Sequence, residues 1–133
     1  MIAPAITLTL HESRRVYRPG EKLSGQYYIE AVEGTETVAV EISVLWHTEG
    51  KGDEDIAVHF FDRVSQDERA VLDFRQPRVF STVLPNSPLS YEGVLIKIRW
   101  CVRLRVFLSR GKQIVEERSF QLGEVPPARA VLP

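Results

Sequence analysis

The stretch Phe80–Leu108, FSTVLPNSPLSYEGVLIKIRWCVRLRVFL, decides how the chain folds. From Val94 to Leu108 every even position is apolar: Val94, Ile96, Ile98, Trp100, Val102, Leu104, Val106 and Leu108. Between Leu95 and Phe107 the odd positions carry Lys97, Arg99, Cys101, Arg103 and Arg105. Period two with β-branched and aromatic residues predicts a strand with one buried face. At ~3.3 Å per residue that strand spans roughly 50 Å, well past the usual five or six residues. The rest of the chain has to cover its even face.

After a turn at SRGK (109–112), Gln113–Leu122 returns as a further strand. A hairpin turning at Gly111 sets Arg105 opposite Val115 and Arg103 opposite Glu117. Before the long strand, Val79–Leu84 reads as a strand of undecided facing, and the charged segment 65–76 as a helical turn or a long loop ended by Pro77.

Toward the N-terminus, Ile6, Leu8 and Leu10 alternate with polar residues in a first strand. Pro19-Gly20 forms a tight turn, because proline presets φ and glycine supplies φ > 0. Leu23, Gly25, Tyr27, Ile29 and Ala31 share one face of a second strand, and residues 33–36 turn the chain again. Val38, Val40, Ile42, Val44 and Trp46 share one face of a third. Ile56, Val58 and Phe60 belong to a fourth, with a loop centred on Gly52. Keeping the apolar sets on one face pairs Trp46 with Val58 and Val44 with Phe60. The whole reads as an all-β, immunoglobulin-like sandwich of about seven strands spanning residues 1–122, with a Pro-rich tail over 123–133 that is extended or poorly ordered.

Composition limits the functional classes. The 133 residues fit one domain, and 17 Lys+Arg against 18 Asp+Glu leave a net charge of −1. That balance provides no bulk attraction to nucleic acid or anionic membranes. A single cysteine cannot form an intramolecular disulfide, the N-terminus lacks the order of a signal peptide, and no long apolar window spans a membrane. The cytoplasm is the expected compartment.

The order VYRPGEKLSGQYYIE, VAVEISVLWHTEGKG, FSTVLPNSPLSYEGVLIKIRWCVRLRV and a strand ending RSFQLG resembles the amino-terminal arrestin-like domain. Val16-Tyr17-x-Pro19-Gly20-Glu21-x-x-Ser24-Gly25 matches its turn into the second strand. Phe80, Leu84-Pro85 and Ser90-Tyr91-x-Gly93 match its later signature. The similarity covers residues 5–122 and takes in single-domain bacterial-type relatives. It implies an arrestin-like sandwich acting as a protein-interaction scaffold or adaptor. Family adaptors carry two such sandwiches where this chain has room for one, and Val125-Pro126-Pro127-Ala128 is not a PPxY motif.

The basic row Lys97, Arg99, Arg103 and Arg105 is one candidate partner-binding surface, with guanidinium forks ~6.6 Å apart that suit phosphates or an acidic peptide. The competing reading is a solvated face balanced by cross-strand carboxylates. A second basic group, Arg14, Arg15, Arg18 and Lys22, surrounds the Pro-Gly turn. His47 and His59 fall diagonally across the fourth-strand hairpin, yet without a further ligand they make no zinc site. Exposed among arginines, Cys101 would have a lowered pKa, but no oriented base accompanies it. Trp46 and Trp100 belong to the core. No cofactor and no catalysis are expected.

The leading expectation is therefore a non-catalytic protein- or peptide-binding module. It would add a partner strand at an edge, the first and last strands being the natural ones, and such addition between two copies would give a homodimer. The alternative is a small-ligand or carbohydrate-binding sandwich with Tyr27, Tyr28, Tyr91 and Phe61 gathered around a concave site.

Overall fold

The computed structural model describes residues 5–12, 15–30, 36–52, 54–66 and 72–128. The described residues form nine strands in two sheets. The smaller sheet has the order β1 (Ala5–Leu10), β3 (Lys22–Glu30), β6 (Arg78–Val83). The larger runs β2 (Val16–Tyr17), β9 (Gln113–Leu122), β8 (Ile96–Leu108), β4 (Thr37–Gly50), β5 (Ile56–Ser65), with β7 (Tyr91–Glu92) beside one end of β8. All pairings are antiparallel except that of β2 with β9.

The core forms between the sheets because the alternating rows face one another. Trp100, Val102, Leu104, Val106 and Leu108 of β8 are buried, and the Trp100 indole N–H donates to the Pro88 carbonyl at 2.8 Å. Val40, Ile42 and Val44 on β4 and Leu23, Tyr27 and Ile29 on β3 complete the apolar interior. On β3 a glycine is needed at position 25. A Cβ there would stand 2.5 Å from the Thr9 carbonyl oxygen and 2.8 Å from the Phe80 ring. The Pro19-Gly20 turn closes with Glu21 N–H donating to the Arg18 carbonyl at 3.1 Å, Gly20 lying at φ +84°.

The hairpin of β8 and β9 has the expected register, Arg105 opposite Val115 and Arg103 opposite Glu117. Three expectations need correction. Val44 does oppose Phe60, but Leu45 then opposes Val58 and Trp46 opposes Ala57, because His59 is an extra residue in a β-bulge. Val38 lies at an irregularity between Thr37 and Ala39 and is exposed, while Ala39 is buried. The last strand is not an edge: β9 lies between β8 and β2, and the edges of the larger sheet are β2 and β5. The first strand is an edge as expected, together with β6. Ala31 and the turn at 33–36 lie outside the described residues, as does the tail beyond Ala128.

Candidate functional site

The outward face of the larger sheet carries the chain's charged chemistry, and the registers place its side chains in rows. Ile56, His47 and Arg99 form one row, followed by Val58, Leu45, Cys101 and Ser119. Phe61, Ser43, Arg103 and Glu117 come next, then Arg63, Glu41, Arg105 and Val115. Over the first three rows lies a concavity of about 890 Å³, bordered by the 54–55 loop.

Lys97, Arg99, Arg103 and Arg105 do lie together on this face, and carboxylates meet three of them. Lys97 pairs with Glu92 at 3.6 Å, Arg99 with Glu92 and with Glu49 at 3.7 Å, and Arg103 with Glu117 at 3.0 Å. Arg105 stands between Glu41 and Val115, and Glu41 already accepts Arg63 at 2.6 Å. Arg63 in turn lies over the Phe107 ring, 5.0 Å from its centroid. Within the concavity Arg99 and Arg103 face four carboxylates, Glu49, Glu54, Asp55 and Glu117. Its field is on balance acidic, which disfavours an anionic ligand there. Exposed pairs of this kind contribute only about 0–1 kcal/mol each, so they set the charge pattern more than the stability.

The other expected residues are dispersed. Arg15 is exposed at the far edge of the sheet, where its carbonyl accepts the Gln121 N–H at 2.7 Å. Arg14 lies outside the described residues. The diagonal approach of His47 and His59 does not occur, because the bulge turns His59 away from His47's face. The His59 ring bonds through Nε2 to the Val83 carbonyl of β6 at 2.8 Å and meets Trp100 edge-on at 6.2 Å. Among the described residues no three His, Cys, Asp or Glu side chains gather where they could hold a metal ion.

Cys101 is buried rather than exposed. Burial pushes its thiol up to about 12, Glu117 adds to the rise, and Arg103 opposes it. The aromatic residues of the ligand-binding alternative do not converge either: Tyr27 is in the core, Tyr28 and Tyr91 are half-buried, and Phe61 stands on β5.

On β5 the expected inward facing holds for Phe60, with Phe61 outward, but Ile56 and Val58 lie on the outer face, and β5 rather than the last strand is an edge. Ile56, Val58 and Phe61 are 58%, 55% and 53% exposed, and among the described residues this ten-residue strand pairs only with β4. The unpaired His59 is what sends Val58 and Ile56 to the other face from Phe60.

No family model matches the chain, and neither does any curated protein. Among solved structures it is similar to Spo0M, the sporulation control protein from Bacillus subtilis, with a TM-score of 0.67 and 14% identity. The match covers 94% of this chain and 51% of that one, so the chain spans about half the length of Spo0M. A superoxide reductase (neelaredoxin) from Ignicoccus hospitalis is similar at a TM-score of 0.51 and 7% identity, covering 88% of this chain and 80% of that one. At these identities the likeness is one of architecture alone. The two packed antiparallel-rich sheets and the match to Spo0M make the fold an arrestin-like β-sandwich.

Proposed function

We propose that the chain is a non-catalytic protein-interaction module of the adaptor or scaffold kind, which takes an extended segment of a partner along β5. The observation that carries this reading is the β5 edge, with Ile56, Val58 and Phe61 each more than half exposed. An unpaired edge offers backbone donors and acceptors to an added strand, and alternate apolar side chains give that strand pockets to read. The bulge at His59 divides the edge, so the longest uninterrupted stretch for pairing is Phe60–Ser65. The arginine row lies on β8, separated from this edge by β4. The name of Spo0M as a sporulation control protein is compatible with such a role.

Affinity capture from native lysate tests the proposal with three folded proteins: wild type, Val58→Asp/Phe61→Asp and Arg99→Glu/Arg103→Glu. The expected result is a partner held by the wild type and the arginine variant and lost from the β5 variant. Retention by the β5 variant, or no capture by any of the three, overturns it.

A further inference from the structure

The Pro-rich segment after the last strand is fastened to the sandwich at both ends of residues 123–128. β9 pairs with β8 as far as Phe120 opposite Trp100, and beyond that point β7 takes the place next to β8. Gly123, at φ +77°, turns the chain out of β9 while its N–H donates to the Tyr17 carbonyl at 2.8 Å. A Cβ at that position would stand 2.8 Å from Leu89. The segment then passes along β7, and Ala128 N–H donates to the Glu92 carbonyl at 2.9 Å.

Between these anchors Val125 and Pro127 border a cavity of about 270 Å³ whose apolar wall is Tyr91, Ile98 and Phe120. Pro126 and Pro127 have no N–H to donate, and their rings hold φ near −65°. A segment so constrained loses little entropy on docking and is read by side-chain shape against an aromatic-lined groove. Val125 is half-buried whereas Pro126, Pro127 and Ala128 are exposed, so the segment sits shallowly.

We infer that the groove between β7 and the end of β9 is a receptor for extended Val-Pro-Pro segments, flanked in cis by residues 124–128 and open to a segment of the same chemistry on another chain. Tethering at Leu122 gives the resident segment an effective concentration in the ~mM range. A competing segment therefore binds well only when the resident one is released. The groove lies on the opposite side of β8 from β4 and β5, so this inference does not depend on the β5 reading.

Fluorescence polarisation of a labelled Glu-Val-Pro-Pro-Ala peptide tests it against the full chain and a released variant, Val125→Asp/Pro127→Asp. The released variant should bind at least ~tenfold tighter than wild type. Tyr91→Ser in the released background should abolish binding, a Glu-Val-Ala-Ala-Ala peptide should bind several-fold more weakly, and Val58→Asp/Phe61→Asp should change nothing. Equal binding by wild type and released variant, no binding by the released variant, or indifference to the prolines overturns the inference. Should the released variant fail to fold, an NMR titration of wild type with millimolar peptide decides. Amide shifts at Tyr91, Ile98 and Phe120 support the groove, and their absence overturns it.

Discussion

Cys101 lies on the outward row of the larger sheet, between Leu45 and Ser119, yet it is buried. Its surroundings contain Arg103, which favours the thiolate, but desolvation and Glu117 outweigh that charge. A thiol held at about 12 is a weak nucleophile, so maleimide at pH 8 should leave the native protein unmodified and label it only as urea unfolds it. The same shift couples to stability. The thiol ionises at its ordinary 9.0 in the unfolded chain and at about 12 in the folded one. Its stabilising contribution is therefore complete below pH 9 and is lost as pH rises toward 12. Tyr27 is also raised from 10.0, chiefly by burial, and titrates in the same direction. Comparison with Cys101→Ala removes that shared part. The wild type should lose more of its urea midpoint than the variant between pH 8 and pH 10.5, and parallel losses would mean that the thiol is solvated in the native state.

At the level of elements, the long strands were readable from sequence because alternation over nine or more residues leaves one facing that buries the apolar set. β8, β9 and their register follow from that rule, as does the meeting of Arg103 with Glu117. β2 and β7 were not readable, since two residues carry no periodicity. Glu92 and Glu49, which neutralise Lys97 and Arg99, come from β7 and from the far end of β4, so the charge balance of the candidate site depended on pairings the sequence left open. The bulge in β5 was hidden for a different reason. One extra residue shifts everything after it, and the extra His59 meets Thr82, Val83 and Trp100 across the sandwich. Deleting His59 should keep Val58 against Leu45 and Phe60 against Val44 and yield a regular strand. The lost hydrogen bond costs about 1 kcal/mol, or a few degrees in Tm. A regular edge also self-pairs more readily, since bulges are a natural guard against it. Light scattering should then show more association for the deletion than for His59→Ala, which keeps the bulge. Equal association would remove the bulge from that role.

At the level of the molecule, the two sheets are held as one body by an N-terminal stretch that visits both. β1 adds to β3 in the smaller sheet, the chain crosses to lay β2 along β9 in the larger, and the Pro19-Gly20 turn brings it back into β3. The crossing is fastened by Tyr17. Its ring is buried and meets Phe120 edge-on at 5.6 Å, and its carbonyl accepts the Gly123 N–H that starts the Pro-rich segment. The parallel pairing of Val16 and Tyr17 with Gln121 and Leu122 ties this crossing stretch to the end of the last strand. Truncating a buried aromatic residue costs about 3–5 kcal/mol, much of the ~5–15 kcal/mol that holds a domain of this size. Tyr17→Ala should accordingly bring the urea midpoint down sharply and loosen the groove under Val125, because Gly123 loses the fixed carbonyl it donates to. Tyr28→Ala, which removes a half-buried ring from the outer face of the smaller sheet, should cost far less. Similar losses in the two variants would show that the crossing is no special fastener, and that the sheets are held by the facing rows of β3, β4 and β8 alone.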